Sequence, residues 1–233
     1  MSTIESDFTI SRNAAIGGGL EKQDVMKEAG LEKDLAFWQR MAPNYDRHVR
    51  WLGKSQERVI HHVREQLQGA KRILDVGTGT GNIALALADV VQEVDGVDPS
   101  PLMLQEARAK AEARGLQNVR FSEQGAYEPK FPDGTFDAVI ISHVLHIIDR
   151  PELALSEARR VLKNGGLLIA PTYCHGLSRI LSFIARNLLK QPVYFRFTPD
   201  DLLELVRTAG FDVLGCEVLP DKIPVAFVVA RLS

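Results

Sequence analysis

From residue 72 onward, short apolar runs alternate with longer segments whose apolar residues recur at helical spacing. The apolar runs predict β-strands, and the amphipathic segments predict helices that cover the faces of a sheet. Strands are expected at 72–76, 93–98, 118–122, 136–142 and 166–171, and helices at 81–90, 100–114 and 151–162. This alternation is typical of βαβ units, so we predict an α/β protein built around a mostly parallel sheet.

The C-terminal part of the chain has a different pattern. Thr198 and Pro199 predict the start of a further helix over 201–209. Two apolar runs follow at 211–219 and 224–230, and too few residues separate them for a crossover helix. They are therefore expected to form an antiparallel hairpin at the edge of the sheet.

The N-terminal part contains no strand pattern. Residues 1–30 are mostly polar and include three consecutive glycines, which predicts a loose arm. Residues 31–68 carry apolar residues at mostly helical intervals, interrupted by Pro43, and predict helices that lead into the sheet. We therefore expect residues 31–233 to form a single domain, with a lid-like insertion at about 173–197.

Composition narrows the classes of function. A chain of 233 residues that is 45% hydrophobic fits one globular domain with a full core. A net charge of -2 provides no general basic field, so nucleic acid is not expected as a partner. Cys174 and Cys216 are far apart and lack metal-ligand spacing, so we expect neither a disulfide framework nor a metal site. Because no signal peptide and no apolar run of roughly 18 residues is present, we expect a cytoplasmic protein.

A glycine-rich turn follows the first predicted strand. Asp75 lies near the end of that strand, and Gly77, Gly79 and Gly81 come directly after it. Glycines let a ligand approach the backbone, and the following helix offers it free N–H groups. About twenty residues later, Asp98 ends the next strand, where a carboxylate can accept hydrogen bonds from ribose hydroxyls. The alternatives are a tight turn that binds nothing and an Asp98 that only caps a helix.

The glycine spacing of the turn and its acidic residue indicate whether the ligand is a dinucleotide. It reads GxGxG followed by Asn82, not GxGxxG, and the acidic Asp75 stands two residues before the first glycine. This combination departs from the dinucleotide fingerprint.

These motifs resemble those of the class I S-adenosylmethionine-dependent methyltransferases, in particular the ubiquinone/menaquinone C-methyltransferase-like and small-molecule branch. The likeness runs from about residue 45 to residue 219. The stretches that carry it are LDVGTGTGN, VDPSPLML, FPDGTFDAVIISHVLHIID, ARRVLKNGGLLIAP and FTPDDLLELVRTAGFDV. It implies a Rossmann-like seven-stranded sheet of order 3-2-1-4-5-7-6 with strand 7 antiparallel, helices on both faces, and S-adenosylmethionine as cofactor.

The resemblance also implies which residues hold the cofactor. Asp98 matches the ribose ligand, Met103 the residue that packs on adenine, and Tyr45 a residue that closes over the cofactor. The full expected set is Tyr45, Asp75, Gly77, Thr78, Gly79, Gly81, Asp98, Pro99, Met103, Gly125, Ala126, Ser142 and His143. Gly125 stands where relatives often have an aspartate that accepts a hydrogen bond from the adenine amino group.

Candidate catalytic residues follow the fourth and fifth strands, at the edge where ligands bind in such folds. They are His143, His146, Tyr173 and His175. Each also has a structural interpretation, in which it packs near the cofactor or shapes a loop. Transfer of a methyl group from a sulfonium is an in-line displacement, and only acceptors such as phenols or carbon acids require a base.

We therefore expect a methyltransferase that transfers a methyl group directly to a small-molecule or lipid-like acceptor. The alternatives are a non-catalytic module that binds S-adenosylmethionine and a nicotinamide-dependent oxidoreductase. Residues 177–190 predict a helix with one apolar face and one basic face. That helix either packs on the domain or covers an apolar acceptor pocket and contacts a membrane surface peripherally. The acceptor, the methylated atom and the oligomeric state stay open.

Overall fold

The computed structural model describes residues 34–174 and 197–233, which form a seven-stranded sheet of order β3-β2-β1-β4-β5-β7-β6. This order, the antiparallel seventh strand and the surrounding helices confirm the predicted fold. The strands are β1 (Arg72–Val76), β2 (Glu93–Asp98), β3 (Val119–Glu123), β4 (Phe136–Ile141), β5 (Leu162–Tyr173), β6 (Phe211–Leu219) and β7 (Val225–Leu232).

The central strand β1 lies between β2 and β4 and is parallel to both. Asp75 is in register with Gly96 of β2 and with Ile140 of β4. Because these strands run in one direction, their carboxyl ends meet at the same edge of the sheet. Apolar side chains are buried on both faces, as expected for a parallel sheet covered by helices on both sides.

Helices flank the sheet, and several begin where the sequence provides a cap. They are α1 (34–41), α2 (Tyr45–Leu52), α3 (Ser55–Gln66), α4 (Asn82–Leu87), α5 (Pro101–Ala113), α6 (Pro151–Val161) and α7 (Pro199–Thr208). Thr198 and Asp201 form a reciprocal capping box at the start of α7. Helix α4 is shorter than predicted because Gly81, in the left-handed conformation, precedes it and the backbone turns again beyond Leu87.

The last two strands form the predicted hairpin, and β6 is the edge strand. Strand β5 starts earlier and ends later than its apolar run predicted. Its first residue pairs with β4, at Phe136, and its last residues pair with β7, at Val225. Pairing with two neighbours therefore extends the strand through residues that are not themselves apolar.

Before the sheet, residues 34–66 contain α1, α2 and α3, with a short 3-10 turn at Ala42–Asn44 around Pro43. The predicted arm at 1–30, His175 and the amphipathic segment 177–190 lie outside the described residues. Within the described part of the chain, no helix combines the length and apolar character needed to cross a bilayer. Cys174 is buried, Cys216 is exposed, and both are free thiols.

Candidate functional site

The turn after β1 passes through three glycines with positive φ. The angles are +68° at Gly77, +55° at Gly79 and +78° at Gly81, values that residues with side chains rarely adopt. A Cβ at Gly77 would lie 2.3 Å from Cγ2 of Val144, whereas a Cβ at Gly79 would come within only 3.8 Å of Cε1 of Tyr45. The turn therefore favours glycine by conformation, and Gly77 also requires it for space.

Asp75 is buried at the end of β1 and organises this turn. Its Oδ2 accepts a hydrogen bond of 2.7 Å from Oγ1 of Thr78, and the backbone N–H of Ala84 in α4 also donates to it. Burial raises the pKa of Asp75 to about 7; these two bonds oppose the shift, and the charge of Asp98 adds to it. Asp75 thus joins the strand, the turn and the start of α4.

Asp98 lies at the same edge, at the end of β2. Its Oδ2 accepts a hydrogen bond of 2.9 Å from the backbone N–H of Gly79, and its Oδ1 accepts one of 2.9 Å from Ser100. Burial raises its pKa to about 6, while these two bonds act in the opposite direction. Ser100, not Asp98, is the N-cap of α5. Since each carboxylate oxygen has a second lone pair, Asp98 keeps the capacity to bind ligand hydroxyls.

Between these groups and the end of β4 lies a small cavity with a volume of about 30 Å³. Helices α2 and α3 cover it with Tyr45 and Gln56. Its lining is completed by Asp75, Gly77, Thr78, Asn82, Ile83, Ser142 and His143. Burial raises the pKa of the Tyr45 hydroxyl, and Tyr173, Asp98, Asp46 and Asp75 add to the shift through their charges. The cavity therefore joins the glycine-rich turn to the predicted catalytic residues.

His143 has an unusual environment. Its φ is +56°, the only positive value at a non-glycine residue in the described part of the chain, and such strain often marks functional sites. Its two ring nitrogens and the hydroxyl of Ser142 are buried and have no hydrogen-bond partner among the described residues. Burial lowers the pKa of the His143 imidazole to about 4, so the ring is neutral at physiological pH.

Aromatic rings surround this imidazole. Tyr173, the last residue of β5, stacks on His143 with ring centroids 4.0 Å apart and planes 22° apart. His146 is buried, with its ring 6.4 Å from His143 and 5.5 Å from Tyr173. Burial raises the pKa of Tyr173, and a hydrogen bond with the Ser55 side chain opposes that shift. Three of the four predicted catalytic residues therefore lie together.

Known proteins that are similar to this chain identify its family. A sequence profile described as "Methyltransferase domain" matches residues 74–170. The demethylmenaquinone methyltransferase of Thermus thermophilus is 37% identical over 205 residues, which are 76% of this chain and 92% of the relative. This chain is a class I S-adenosylmethionine-dependent methyltransferase. The family membership confirms the resemblance found in the sequence and decides against a nicotinamide-dependent oxidoreductase.

Two further proteins are similar to this methyltransferase, one over less than half of its chain and one over most of it. The phosphatidylethanolamine N-methyltransferase of Cereibacter sphaeroides is 39% identical over 99 residues, 42% of this chain and 48% of the relative. A crystal structure of an S-adenosylmethionine-dependent methyltransferase from Thermotoga maritima aligns with a TM-score of 0.62 and 26% identity, covering 84% of this chain and 98% of that one.

The other expected cofactor residues of the methyltransferase lie beyond the cavity. Met103 is buried on the inner face of α5, and Pro99 is exposed beside Asp98. Gly125 is exposed, and a Cβ there would meet nothing within 4 Å. Ala126 packs against the core. The loop that carries Gly125 and Ala126 approaches the Asp98 backbone, whose carbonyl accepts a hydrogen bond of 3.2 Å from Gln124.

One polar network of the methyltransferase was not predicted. Asp46 of α2 accepts hydrogen bonds from Thr80 at 2.6 Å, from Asn82 at 2.8 Å and from Lys110 at 2.9 Å. Lys110 of α5 also donates to Oδ1 of Asn82 at 2.8 Å. The Asp46 pKa is lowered, because these bonds together outweigh the opposing effect of burial. The network attaches α2 to the glycine-rich turn, and nothing in the local sequence pattern links Lys110 to Asp46.

Proposed function

We propose that the edge formed by the ends of β1, β2 and β4 holds S-adenosylmethionine. Asp98 supports this because its oxygens can accept hydrogen bonds from ribose hydroxyls. Ser142 and His143 support it because their buried polar atoms lack partners among the described residues and are suited to a polar ligand. The proposed contacts are the residues expected from the sequence, namely Tyr45, Asp75, Gly77, Thr78, Gly79, Gly81, Asp98, Pro99, Met103, Gly125, Ala126, Ser142 and His143.

The size of the cavity adds a condition to this proposal. Sites for ligands of this size have volumes of roughly 300–1,000 Å³, whereas the enclosed cavity, which is only one part of the proposed site, has a volume of about 30 Å³. Because α2 supplies Tyr45 to the lining, we propose that α2 moves away when the cofactor binds and returns over it. Asp46 and its three partners would then hold the closed position.

We further propose that the acceptor is a lipid-like small molecule of the quinol type. The relative that matches three quarters of this chain is named a demethylmenaquinone methyltransferase. Within the site, the stacked rings of His143 and Tyr173 offer an aromatic surface on which a flat ring can lie. The phosphatidylethanolamine N-methyltransferase match supports a phospholipid acceptor as the second candidate.

The proposed chemistry needs little from the protein besides positioning. When bound, the cofactor supplies an electrophilic methyl group on a positively charged sulfur. His143 is neutral, so its ring nitrogen can accept a hydrogen bond from an acceptor hydroxyl and orient it, while the lowered pKa makes the ring a weak base. Burial of this ring excludes water, and the Ser142 hydroxyl beside His143 offers a second polar contact to the acceptor. The unpartnered ring nitrogens of His143 carry this proposal.

A screen of acceptors tests it. The protein is incubated with S-adenosylmethionine and, in separate reactions, with demethylated naphthoquinols in detergent, phosphatidylethanolamine, small amines and small phenols. Formation of S-adenosylhomocysteine and the mass of the product are measured. The proposal predicts turnover with a naphthoquinol, and His143→Gln serves as the reduced-activity control.

The other outcomes have definite meanings. Turnover of phosphatidylethanolamine alone would establish the second candidate in place of the first. A preference for small charged amines would contradict a lipid-like acceptor. Cofactor binding without turnover of any class would favour the non-catalytic module.

A further inference from the structure

Helix α2 has an exposed face that plays no part in the site. Arg47, Arg50, Trp51 and Lys54 lie at positions i, i+3, i+4 and i+7 along and just beyond the helix, and all four are exposed. Trp51 is 67% exposed, the highest value among the exposed large hydrophobic side chains of the described residues. We call these four residues the α2 outer face. One exposed side of α2 therefore presents a large aromatic ring together with three cations.

The positive charges of this face are not neutralised within the described ranges 34–174 and 197–233. None of the three cations of the α2 outer face takes part in an ion pair there. Arg47 donates only to the uncharged Oδ1 of Asn44, at 2.5 Å. Asp46, the acidic residue of α2, is turned inward to Thr80 and Lys110.

A fourth cation joins the face from another element. Lys222, between β6 and β7, donates a hydrogen bond of 2.8 Å to the Trp51 carbonyl, and its Nζ lies 5.4 Å from the centre of the Trp51 ring. Two acids lie near this face. Glu57 is exposed on α3, and the carboxylate of Asp221 lies against Gly53 and accepts a backbone hydrogen bond from Lys222. Neither acid forms an ion pair in the described part of the chain.

We propose that the α2 outer face binds the surface of a membrane that contains anionic lipids. Tryptophan is favoured at the interface between lipid headgroups and acyl chains, where its ring is buried and its N–H stays solvated. Each Lys or Arg near an anionic bilayer strengthens binding by about 1 kcal/mol, which is about fivefold. A nucleic acid is a poorer match, because its surface has no boundary between headgroups and acyl chains in which the exposed ring of Trp51 could be buried.

The position of this face relates it to the site. The opposite side of the same helix carries Tyr45, which lines the cavity, and Asp46, which binds the glycine-rich turn. A membrane bound to the α2 outer face would therefore contact the element that covers the site. Binding to the membrane does not depend on the proposed acceptor, whereas a benefit for turnover rests on that proposed function.

Vesicle sedimentation tests the contact without any acceptor. The full chain is mixed with vesicles of phosphatidylcholine alone or with phosphatidylglycerol, at low and high salt. We expect binding only with phosphatidylglycerol, weakened by salt. The double variant Arg50→Gln/Lys54→Gln should bind about 25-fold more weakly, at about fivefold for each charge. The matched control is Lys130→Gln/Arg207→Gln, which removes two exposed cations from other elements and should bind as the wild type does.

A second readout places Trp51 at the bilayer. Lipids brominated in the acyl chain should quench tryptophan fluorescence of the wild type but not of Trp51→Phe. Equal affinity for S-adenosylhomocysteine in all variants shows that they are folded. The proposal is overturned if the two double variants bind vesicles equally, if Trp51 is not quenched, or if duplex DNA binds the α2 outer face more tightly than the vesicles do. If vesicles bind as expected but no lipid-like acceptor is turned over, only the proposed function fails.

Discussion

The two ends of the cavity differ in how their polar groups are satisfied. At the end formed by β1 and β2, Asp75 and Asp98 hold the glycine-rich turn through bonds to Thr78, Gly79 and Ser100. At the end formed by β4, the ring of His143 and the hydroxyl of Ser142 are buried without partners in the described part of the chain.

A buried polar group without a partner costs roughly 1–3 kcal/mol. The polar groups of the first end are therefore satisfied within the protein, whereas the proposed ligand would complete the second end. Substitutions at the first end should change mainly cofactor binding, and substitutions at the second end should change turnover more than cofactor binding.

The largest effect is expected from Gly77→Ala. The new Cβ would be forced into a positive φ and against Val144, and together these should cost about 2–4 kcal/mol of unfolding free energy and abolish tight cofactor binding. Denaturant unfolding and calorimetry with S-adenosylhomocysteine measure both quantities. Gly79→Ala is the matched control, because it has a similar φ without the contact; an equal loss in both variants would show that conformation alone matters.

His143→Gln tests the other end. We expect kcat for the acceptor to fall about 10–100-fold while S-adenosylhomocysteine affinity falls by a clearly smaller factor, because the ring is a proposed cofactor contact but acts mainly on the acceptor. His146→Gln is the comparison, since His146 is buried beside it but does not line the cavity. A loss of cofactor affinity that matches the loss of kcat would remove the functional distinction between the two ends.

Asp98→Ala should weaken S-adenosylhomocysteine binding by about 1.5–3 kcal/mol, because ribose hydroxyls lose a charged acceptor and the N–H of Gly79 loses its partner. Isothermal titration measures the change, and the thermal midpoint of the variant reports whether it is folded. Unchanged affinity in a folded variant would mean that Asp98 only holds the turn.

The pH dependence follows from the raised pKa values of the first end. Asp75 and Asp98 ionise near pH 4 in an unfolded chain but at about 7 and about 6 when folded. The folded state therefore binds more protons between these values, so these two groups favour folding at low pH and oppose it as pH rises to about 7.

A cationic cofactor favours the ionised carboxylates. Affinity for S-adenosylmethionine should accordingly rise severalfold from about pH 5 to about pH 8, with release of protons on binding. Calorimetry in two buffers of different ionisation enthalpy measures that release. Asp75→Asn should reduce it, and a profile independent of pH would contradict the assignment.

The smallest effect is expected from Gly125→Asp. Gly125 has open space around its Cα and a φ outside the positive range, so a side chain fits there, and an aspartate would supply the adenine acceptor that the family resemblance implies at this position. Cofactor affinity should stay equal or improve slightly in a titration. A collapse in affinity would indicate that the backbone at Gly125 approaches the ligand too closely for a side chain.

Much of the sheet could be predicted because its strands are local apolar runs bounded by turn residues. The bounds 72–76, 93–98 and 211–219 match β1, β2 and β6 residue for residue. Strand β5 was underestimated because pairing with β4 and β7, a tertiary effect, extends it. At the site, one βαβ unit sets the spacing between the glycine-rich turn and Asp98. That spacing can be read from the sequence, so the pair could be predicted.

The remaining contacts depend on how distant segments dock. Tyr173 stacks on His143 because β4 and β5 are neighbours, and the pairing of Asp46 with Lys110 requires α2 to lie over the turn. Neither contact has a short-range signal, since 30 residues or more separate the partners. The positive φ of His143 could not be predicted either, because the residue type alone does not determine it.

The central assignment is that S-adenosylmethionine binds at the sheet edge that carries Asp75, the glycine-rich turn and Asp98. Its most direct test is a calorimetric titration of the full chain with S-adenosylhomocysteine and, separately, with NAD. We expect one binding site for S-adenosylhomocysteine with a roughly micromolar dissociation constant, strongly weakened binding in Asp98→Ala, and no heat with NAD. Tight binding of NAD with none of S-adenosylhomocysteine would contradict it.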